Sequence, residues 1–121
     1  AKLPEIAGKA ALENPVFPSL YSPDDTSDLN KEFVAEYKKA YNTNPDVFAA
    51  LAYDSTLLVA KAIEDAGSAD PAKIAEAMAK IKGFKGVSGE VTFNEQHNPI
   101  KSAVIIEHKD GKQTFKTKVN P

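Results

Sequence analysis

The spacing of apolar residues predicts helices in the first half of the chain. Apolar side chains recur every fourth residue from Leu29 to Tyr41, which is the spacing of one helix face, and Thr26 or Ser27 can cap this helix. Lys and Glu occupy its other face. A shorter helix is predicted from Pro4 to Leu12, ended by the Asn14-Pro15 pair.

Proline and glycine signals predict two further helices. The Asn44-Pro45 pair is expected to cap and begin a third helix that runs from Asp46 to Ala66, with Gly67 as its stop signal. Because this helix is apolar on nearly every side, we expect it to be buried. The Asp70-Pro71 pair predicts the start of a fourth helix. Its inward-facing residues are expected to be Ile74, Ala77, Met78 and Ile81.

Alternation of apolar and polar residues predicts the strands. The segment Val16–Tyr21 is interpreted as a short strand, and Pro18 within it argues for a sheet edge or a bulge. Later strands are predicted around Val91 and Phe93, from Ser102 to Lys109, and after a hairpin turn at Asp110-Gly111. The return strand alternates at Phe115, Thr117 and Val119. The predicted fold class is α/β, with about four helices, short strands and a C-terminal β-hairpin.

Composition and charge narrow the class of protein. The chain has 121 residues, of which 42% are hydrophobic and 26% are charged, as in one soluble globular domain. It has no cysteine, which excludes a disulfide scaffold and a cysteine-based metal site. Fifteen lysines, without any arginine, and seventeen acids are spread along the chain, which argues against nucleic acid as a partner. A ligand carboxylate would therefore be held by lysine, hydroxyl groups, backbone N–H groups or a helix N-terminus.

Two adjacent residues of the third predicted helix are the main candidates for a site. Asp54 is surrounded by apolar residues one helical turn away, so its carboxylate needs a partner. That partner is either structural, such as a lysine, a hydroxyl or a backbone N–H, or functional, at a ligand's amino group or a hinge near it. Tyr53 either covers an aliphatic ligand and orients it through the hydroxyl, or is an ordinary core tyrosine.

Catalytic and metal-binding templates match the sequence poorly. The segment Gly86–Gly89 lacks the spacing of a nucleophile elbow, and its glycines suit a flexible crossover better than a phosphate-binding loop. His97 and His108 lack the spacing of a helical zinc site and are interpreted as surface residues. A hydrolase that used Asp54 or His108 would need partners at a recognisable spacing, which are missing. We therefore predict no catalytic residue, no metal ligand and no cofactor.

Several short segments occur in an order that points to one family. They are residues 6–13 before the first strand, the aromatic residues Phe33, Tyr37 and Tyr41 before Asn44-Pro45, Ala52-Tyr53-Asp54, Ala66-Gly67-Ser68, residues 86–94, and Lys101 before an aliphatic strand and Asp110-Gly111. Together these segments resemble the substrate-binding proteins of branched-chain amino acid ABC transporters, which are type I periplasmic binding proteins. The resemblance covers nearly the whole chain, although Asn14-Pro15 replaces the usual glycine before the first strand, and Gln96–Pro99 replaces a more usual Gly-Asp turn.

The resemblance implies a non-enzymatic protein with two lobes. Such a protein closes on a small amino acid, branched-chain or related, and delivers it to a membrane permease from the periplasm or cell surface. Because family members are longer, the chain is interpreted as a fragment similar to their C-terminal third. Residues 1–43 and 90–121 would then belong to the second lobe, and 44–89 to the first-lobe helices and the hinge crossover. Tyr53 and, more weakly, Asp54 are the implied ligand-binding residues.

A second interpretation is a small α/β module that associates with itself and binds no ligand. A fragment of two lobes would leave apolar faces uncovered, above all on the helix from Asp46 to Ala66. Either the missing upstream part of a longer protein or a second copy of the chain would then cover that face.

Overall fold

The computed structural model describes residues 3–8, 10–12, 15–109 and 111–121. Its helices are α1 (Leu3–Ala7), α2 (Asp28–Tyr41), α3 (Val47–Ala66) and α4 (Pro71–Ala79), with a 3₁₀ turn at Ala10–Leu12. Its strands are β1 (Val16–Ser19), β2 (Phe84–Gly86), β3 (Gly89–Phe93), β4 (Pro99–Lys101), β5 (Ala103–Lys109) and β6 (Lys112–Val119). The predicted α/β class is therefore confirmed.

Two predicted helix starts have different outcomes. Asp70 caps α4 as predicted, since its carboxylate accepts hydrogen bonds from the backbone N–H groups of Ala72 and Lys73. The prediction that Asn44 caps α3 is wrong. Asp46 is the cap, because its side chain accepts a hydrogen bond of 2.9 Å from the N–H of Ala49.

The first predicted helix is divided. The backbone of Gly8 has a φ of 78°, a left-handed conformation that ends α1, and the chain resumes as the 3₁₀ turn. Asn14, expected to end the helix, lies outside the described residues, as does Asp110 of the predicted hairpin turn. On either side of that turn, Lys109 pairs with Lys112, so the C-terminal hairpin is present.

The described strands form two antiparallel sheets. Sheet A has the order β1-β5-β6 and sheet B the order β2-β3-β4. Pro18 lies in the edge strand β1, as predicted. After β1 ends at Ser19, the chain leaves sheet A and enters the helices at Asp28. It returns directly from sheet B to sheet A at Ser102.

The core lies between α3, α4 and sheet B. Leu58, Ala62, Ile81 and Val91 are buried, and Ile74, Ala77 and Met78 of α4 pack against them as predicted. Ile81, predicted to face inward from the same helix, is buried but lies beyond its end at Ala79. The prediction that α3 is buried as a whole is wrong. Only one stripe, Ala50, Asp54, Leu58 and Ala62, is buried, because its neighbours among the described residues cover a single side. Large apolar side chains elsewhere on α3 are exposed, namely Phe48, Leu57, Val59 and Ile63.

Candidate functional site

Asp54 lies in the buried stripe of α3, and only 3% of the residue is exposed. Its Oδ1 accepts a hydrogen bond of 2.7 Å from the N–H of Val87, and its Oδ2 accepts one of 2.9 Å from the N–H of Ser88. The Ser88 hydroxyl also donates to Oδ2. Charged acceptors form strong hydrogen bonds, so these three donors offset the cost of burying the carboxylate.

The segment that Asp54 binds is the two-residue turn between β2 and β3. Gly86 and Gly89 face each other across this turn. A Cβ on Gly86 would lie 2.5 Å from Oδ2 of Asp54, and a Cβ on Gly89, whose φ is 115°, would lie 2.7 Å from Oγ of Ser102. Instead of a flexible crossover, these glycines form a tight turn because the carboxylate and Ser102 leave no space for a side chain.

Lys101 extends the contacts of the turn. Its Nζ donates a hydrogen bond of 2.7 Å to Oγ of Ser88, so the hydroxyl donates to Asp54 and accepts from Lys101. We call these three residues the Asp54–Ser88–Lys101 network. Burial lowers the pKa of the Lys101 ammonium, the negative charge of Asp54 opposes that shift, and Lys118 adds to it.

Tyr53 faces a different part of the molecule. It is 44% exposed, and its ring centroid lies 4.8 Å from that of Phe33 on α2. Both residues line a groove of about 810 Å³ between α2 and α3, with Tyr37 and Tyr41 farther along it. Tyr53 and Asp54 are therefore not brought together in one site. Their role in ligand binding stays a prediction, while Asp54 has the structural partners that one interpretation required.

Sequence reasoning missed a second buried polar residue, Asn30. It is fully buried, and its Nδ2 donates to the carbonyl oxygens of Ser22, Pro23 and Asp25, at 2.8 to 3.3 Å. An available signal was its position one helical turn before Phe33, on the apolar face of α2. Asn30 therefore fixes the segment through which the chain leaves sheet A.

Asp25, in the same segment, forms an ion pair with Lys118 of β6. Burial alone would raise the pKa of the Asp25 carboxyl, but hydrogen bonds from Lys118 and Ser27 outweigh it and lower the pKa. The ion pair joins the segment that leaves sheet A to the last strand of that sheet.

The two histidines differ in position. His97 is exposed in a turn, as predicted. The prediction that His108 is a surface residue is wrong, since it is 1% exposed and points to the same side of β5 as Val104 and Ile106. Its Nε2 lies 3.3 Å from Nε2 of Gln113. Within the described ranges, no group of three or more His, Asp or Glu residues is placed to hold a metal ion.

The family follows from comparison with known proteins. The profile of the periplasmic binding protein family matches residues 2–113. The chain belongs to this family. A leucine-, isoleucine-, valine-, threonine- and alanine-binding protein of Pseudomonas aeruginosa is 36% identical over 70% of the chain and 23% of its own length. A Leu/Ile/Val-binding protein homolog of Brucella abortus is 29% identical over 94% of the chain and 31% of its own length.

Solved structures show the same fold. A leucine-binding protein of Thermotoga maritima is 39% identical, with a TM-score of 0.85 over 99% of this chain and 34% of its own. A branched-chain amino acid transporter substrate-binding protein of Streptococcus pneumoniae, in complex with isoleucine, is 35% identical with a TM-score of 0.82 over 99% and 34%. An R. palustris solute-binding protein in complex with benzoate is 27% identical with a TM-score of 0.77 over 98% and 33%. The resemblance seen in the sequence is confirmed, and the chain spans about a third of these structures.

Proposed function

We propose that this chain is part of the solute-binding component of an ABC transporter, a protein that binds its ligand without chemical change. The observation that carries the proposal is the 39% identity, at a TM-score of 0.85 over 99% of the chain, to a leucine-binding protein. The whole protein would capture a small amino acid between two lobes and deliver it to a membrane permease. It would act in the periplasm or at the cell surface. In the described part of the chain, no helix is long and apolar enough to cross a membrane.

A branched-chain or related amino acid is the proposed ligand class. The structural neighbour that is 39% identical is a leucine-binding protein, and the one that is 35% identical is in complex with isoleucine, whereas the benzoate-bound neighbour is 27% identical. In this proposal Tyr53 forms part of one wall of the cleft, since its ring is half-exposed and braced against Phe33. Asp54 serves the cleft indirectly, by holding the turn at Val87 and Ser88.

The two sheets are the proposed basis of the two lobes. The family resemblance seen in the sequence assigned residues 1–43 and 90–121 to one lobe and residues 44–89 to the other. Contacts favour different boundaries, because α2 packs on α3 through Phe33 and β3 packs on α3 and α4 through Val91. We place the lobe boundaries at 20–27 and at Ser102, where the chain changes layers.

Isothermal titration calorimetry of the full-length protein tests the function. Leucine, isoleucine, valine and benzoate are titrated separately, and we expect at least one aliphatic amino acid to bind. Tyr53→Ala should weaken that binding, whereas Ile74→Val, on the core-facing side of α4, serves as a folding-matched control that should leave it unchanged. Absence of binding to all small amino acids and organic acids would overturn the proposal.

A second candidate is a self-associating module without a ligand. The exposed apolar residues of α3 favour it, since Phe48 is 76% exposed and Val59 44%. Analytical ultracentrifugation of the 121-residue chain and of the full-length protein separates the two functions. If the isolated chain associates while the full-length protein is monomeric and binds ligand, the result favours the transport function. Association of both without ligand binding favours the module.

A further inference from the structure

The chain passes from sheet B to sheet A through one residue. Lys101, at the end of β4, pairs with Val91, and Ala103, at the start of β5, pairs with Val119. Both neighbours of Ser102 are therefore held in strand ladders of different sheets. The relative orientation of the two sheets depends on the backbone at Ser102, since there is no loop to absorb a rotation.

The residues beside this crossing are connected to α3. Lys101 donates a hydrogen bond to the Ser88 hydroxyl, and that hydroxyl and two backbone N–H groups bind the Asp54 carboxylate. On the other side of the turn, Gly89 allows Ser102 to approach closely. The Asp54–Ser88–Lys101 network thus joins the middle of a 20-residue helix to the residue before the crossing.

Burial makes this connection specific. Asp54 and Ser88 are 3% and 5% exposed, and Lys101 is partly buried, so water competes weakly for their hydrogen bonds. Removing one member leaves a buried partner without its hydrogen bond, which is costly where the partner is charged. The turn then retains its two strand ladders but loses its fixed position relative to the helix.

We propose that the Asp54–Ser88–Lys101 network is a positioning device that sets the angle between sheet A and the α3–sheet B unit at the Ser102 crossing. The consequence for ligand binding rests on the proposed function. If the two sheets belong to two closing lobes, the network sets the balance between open and closed forms, and its loss favours a wider range of open forms.

The angle is measured by electron–electron double resonance in the full-length protein without ligand. Spin labels are attached at Lys73→Cys on α4 and Lys109→Cys on β5, both exposed and located in the two different units. This chain has no cysteine, so only cysteines in the rest of the full-length protein need to be replaced before labelling. The test variants are Asp54→Asn and Lys101→Met, and the second removes only the outer member of the network if the first does not fold.

Two matched controls separate orientation from general loosening. Asp46→Ala removes an aspartate-to-backbone hydrogen bond at the start of the same helix. Lys82→Met removes a lysine that donates 2.9 Å to the carbonyl of Phe93. We expect a shifted or broadened distance distribution in the two test variants only. Unchanged distances in the test variants, or equal changes in the controls, would overturn the proposal.

Ligand titration adds a second readout that is separable from the first. We expect the test variants to bind the amino acid about tenfold more weakly, because the apparent affinity falls with the fraction of the protein that can adopt the closed form. If the unsubstituted protein binds no ligand, the proposed function fails while the distance measurement still decides the inference. If it binds and the test variants bind equally well with unchanged distances, the inference fails while the function stands.

Discussion

At the scale of single residues, Gly86 and the Asp54 carboxylate depend on each other. A Cβ at residue 86 would meet Oδ2 of Asp54 at 2.5 Å, a distance that real contacts do not reach. The sequence predicted that Asp54 needs a partner, because a carboxylate was placed on an apolar helix face. It could not identify a turn more than thirty residues away as that partner, since the donors are backbone N–H groups that every sequence carries.

We predict that Gly86→Ala destabilises the protein by about 1–3 kcal/mol, the usual cost of an overpacked interior. Urea unfolding gives the free energy of unfolding. The control is a double-mutant cycle with Asp54→Ala, because removing the carboxylate removes the clash. In the Asp54→Ala background, Gly86→Ala should cost much less. Additive costs would contradict a steric cause.

Asp25 makes stability depend on pH. Because its folded-state pKa lies below the unfolded value of 3.8, its contribution is fully present above pH 3.8. It is lost as the pH falls through the lower, folded-state pKa. We predict that Lys118→Met reduces this loss of stability on acidification, measured as the free energy of unfolding between pH 6 and about pH 3.

The matched control for Lys118 is Lys31→Met, which removes the ion pair with the exposed Asp28. Exposed ion pairs contribute little, so this variant should keep the pH dependence of the unsubstituted protein. An identical pH dependence of the Lys118→Met variant and the unsubstituted protein would count against the proposed role of the ion pair.

At the scale of elements, the helix caps differ in ways that the sequence does not reveal. Ser27 and Asp70 are both favourable cap residues; Asp70 was predicted, and Ser27 was predicted as an alternative to Thr26. Asp70 accepts two backbone hydrogen bonds, whereas the side chain of Ser27 makes no cap hydrogen bond. Its neighbour Asp25 instead accepts from the N–H of Ser27.

We therefore predict that Asp70→Ala costs about 0.5–2 kcal/mol of stability, the usual cost of losing a cap, and that Ser27→Ala costs little. Thermal and urea unfolding of both variants provide the comparison. A cost for Ser27→Ala as large as that for Asp70→Ala would show that cap chemistry does not determine these helix starts.

Short elements were missed for physical reasons. The strands β2 and β4 have three residues each, which is too short for an alternating pattern to be recognised. The burial of α3 was overestimated because the amino-acid composition of a helix shows how much apolar surface it could bury. It does not show how many neighbouring elements are present to cover that surface. By contrast, Gly67 was correctly predicted to end α3, since its left-handed φ of 56° suits glycine.

At the scale of the whole molecule, the family and the fold class were predictable because the short segments that resemble the family occur in the family's order along nearly the whole chain. The sheet change at Ser102 was not, because one residue between two strands resembles the interior of one strand. His108 was misassigned for a related reason. A polar residue at an alternating position of a strand gives no indication of whether its side of the sheet is covered.

The exposed side of α3 leads to a prediction about assembly. We expect the isolated chain to associate, and the double variant Val59→Glu with Ile63→Glu to be monomeric, because charges oppose burial of these side chains. Sedimentation velocity over a range of concentrations measures this. Ala75→Glu, at an exposed site of α4, is the control and should leave association unchanged. A monomeric unsubstituted chain at micromolar concentration would contradict the prediction.

The edges of sheet A oppose one kind of association, the addition of further strands. One edge strand, β1, contains Pro18, which has no N–H to donate, and the other, β6, carries Lys112, Lys116 and Lys118. Proline and lysine at sheet edges oppose the addition of further strands. Sheet A therefore opposes growth into fibrils by strand addition, and association through the exposed side of α3 would reverse on dilution.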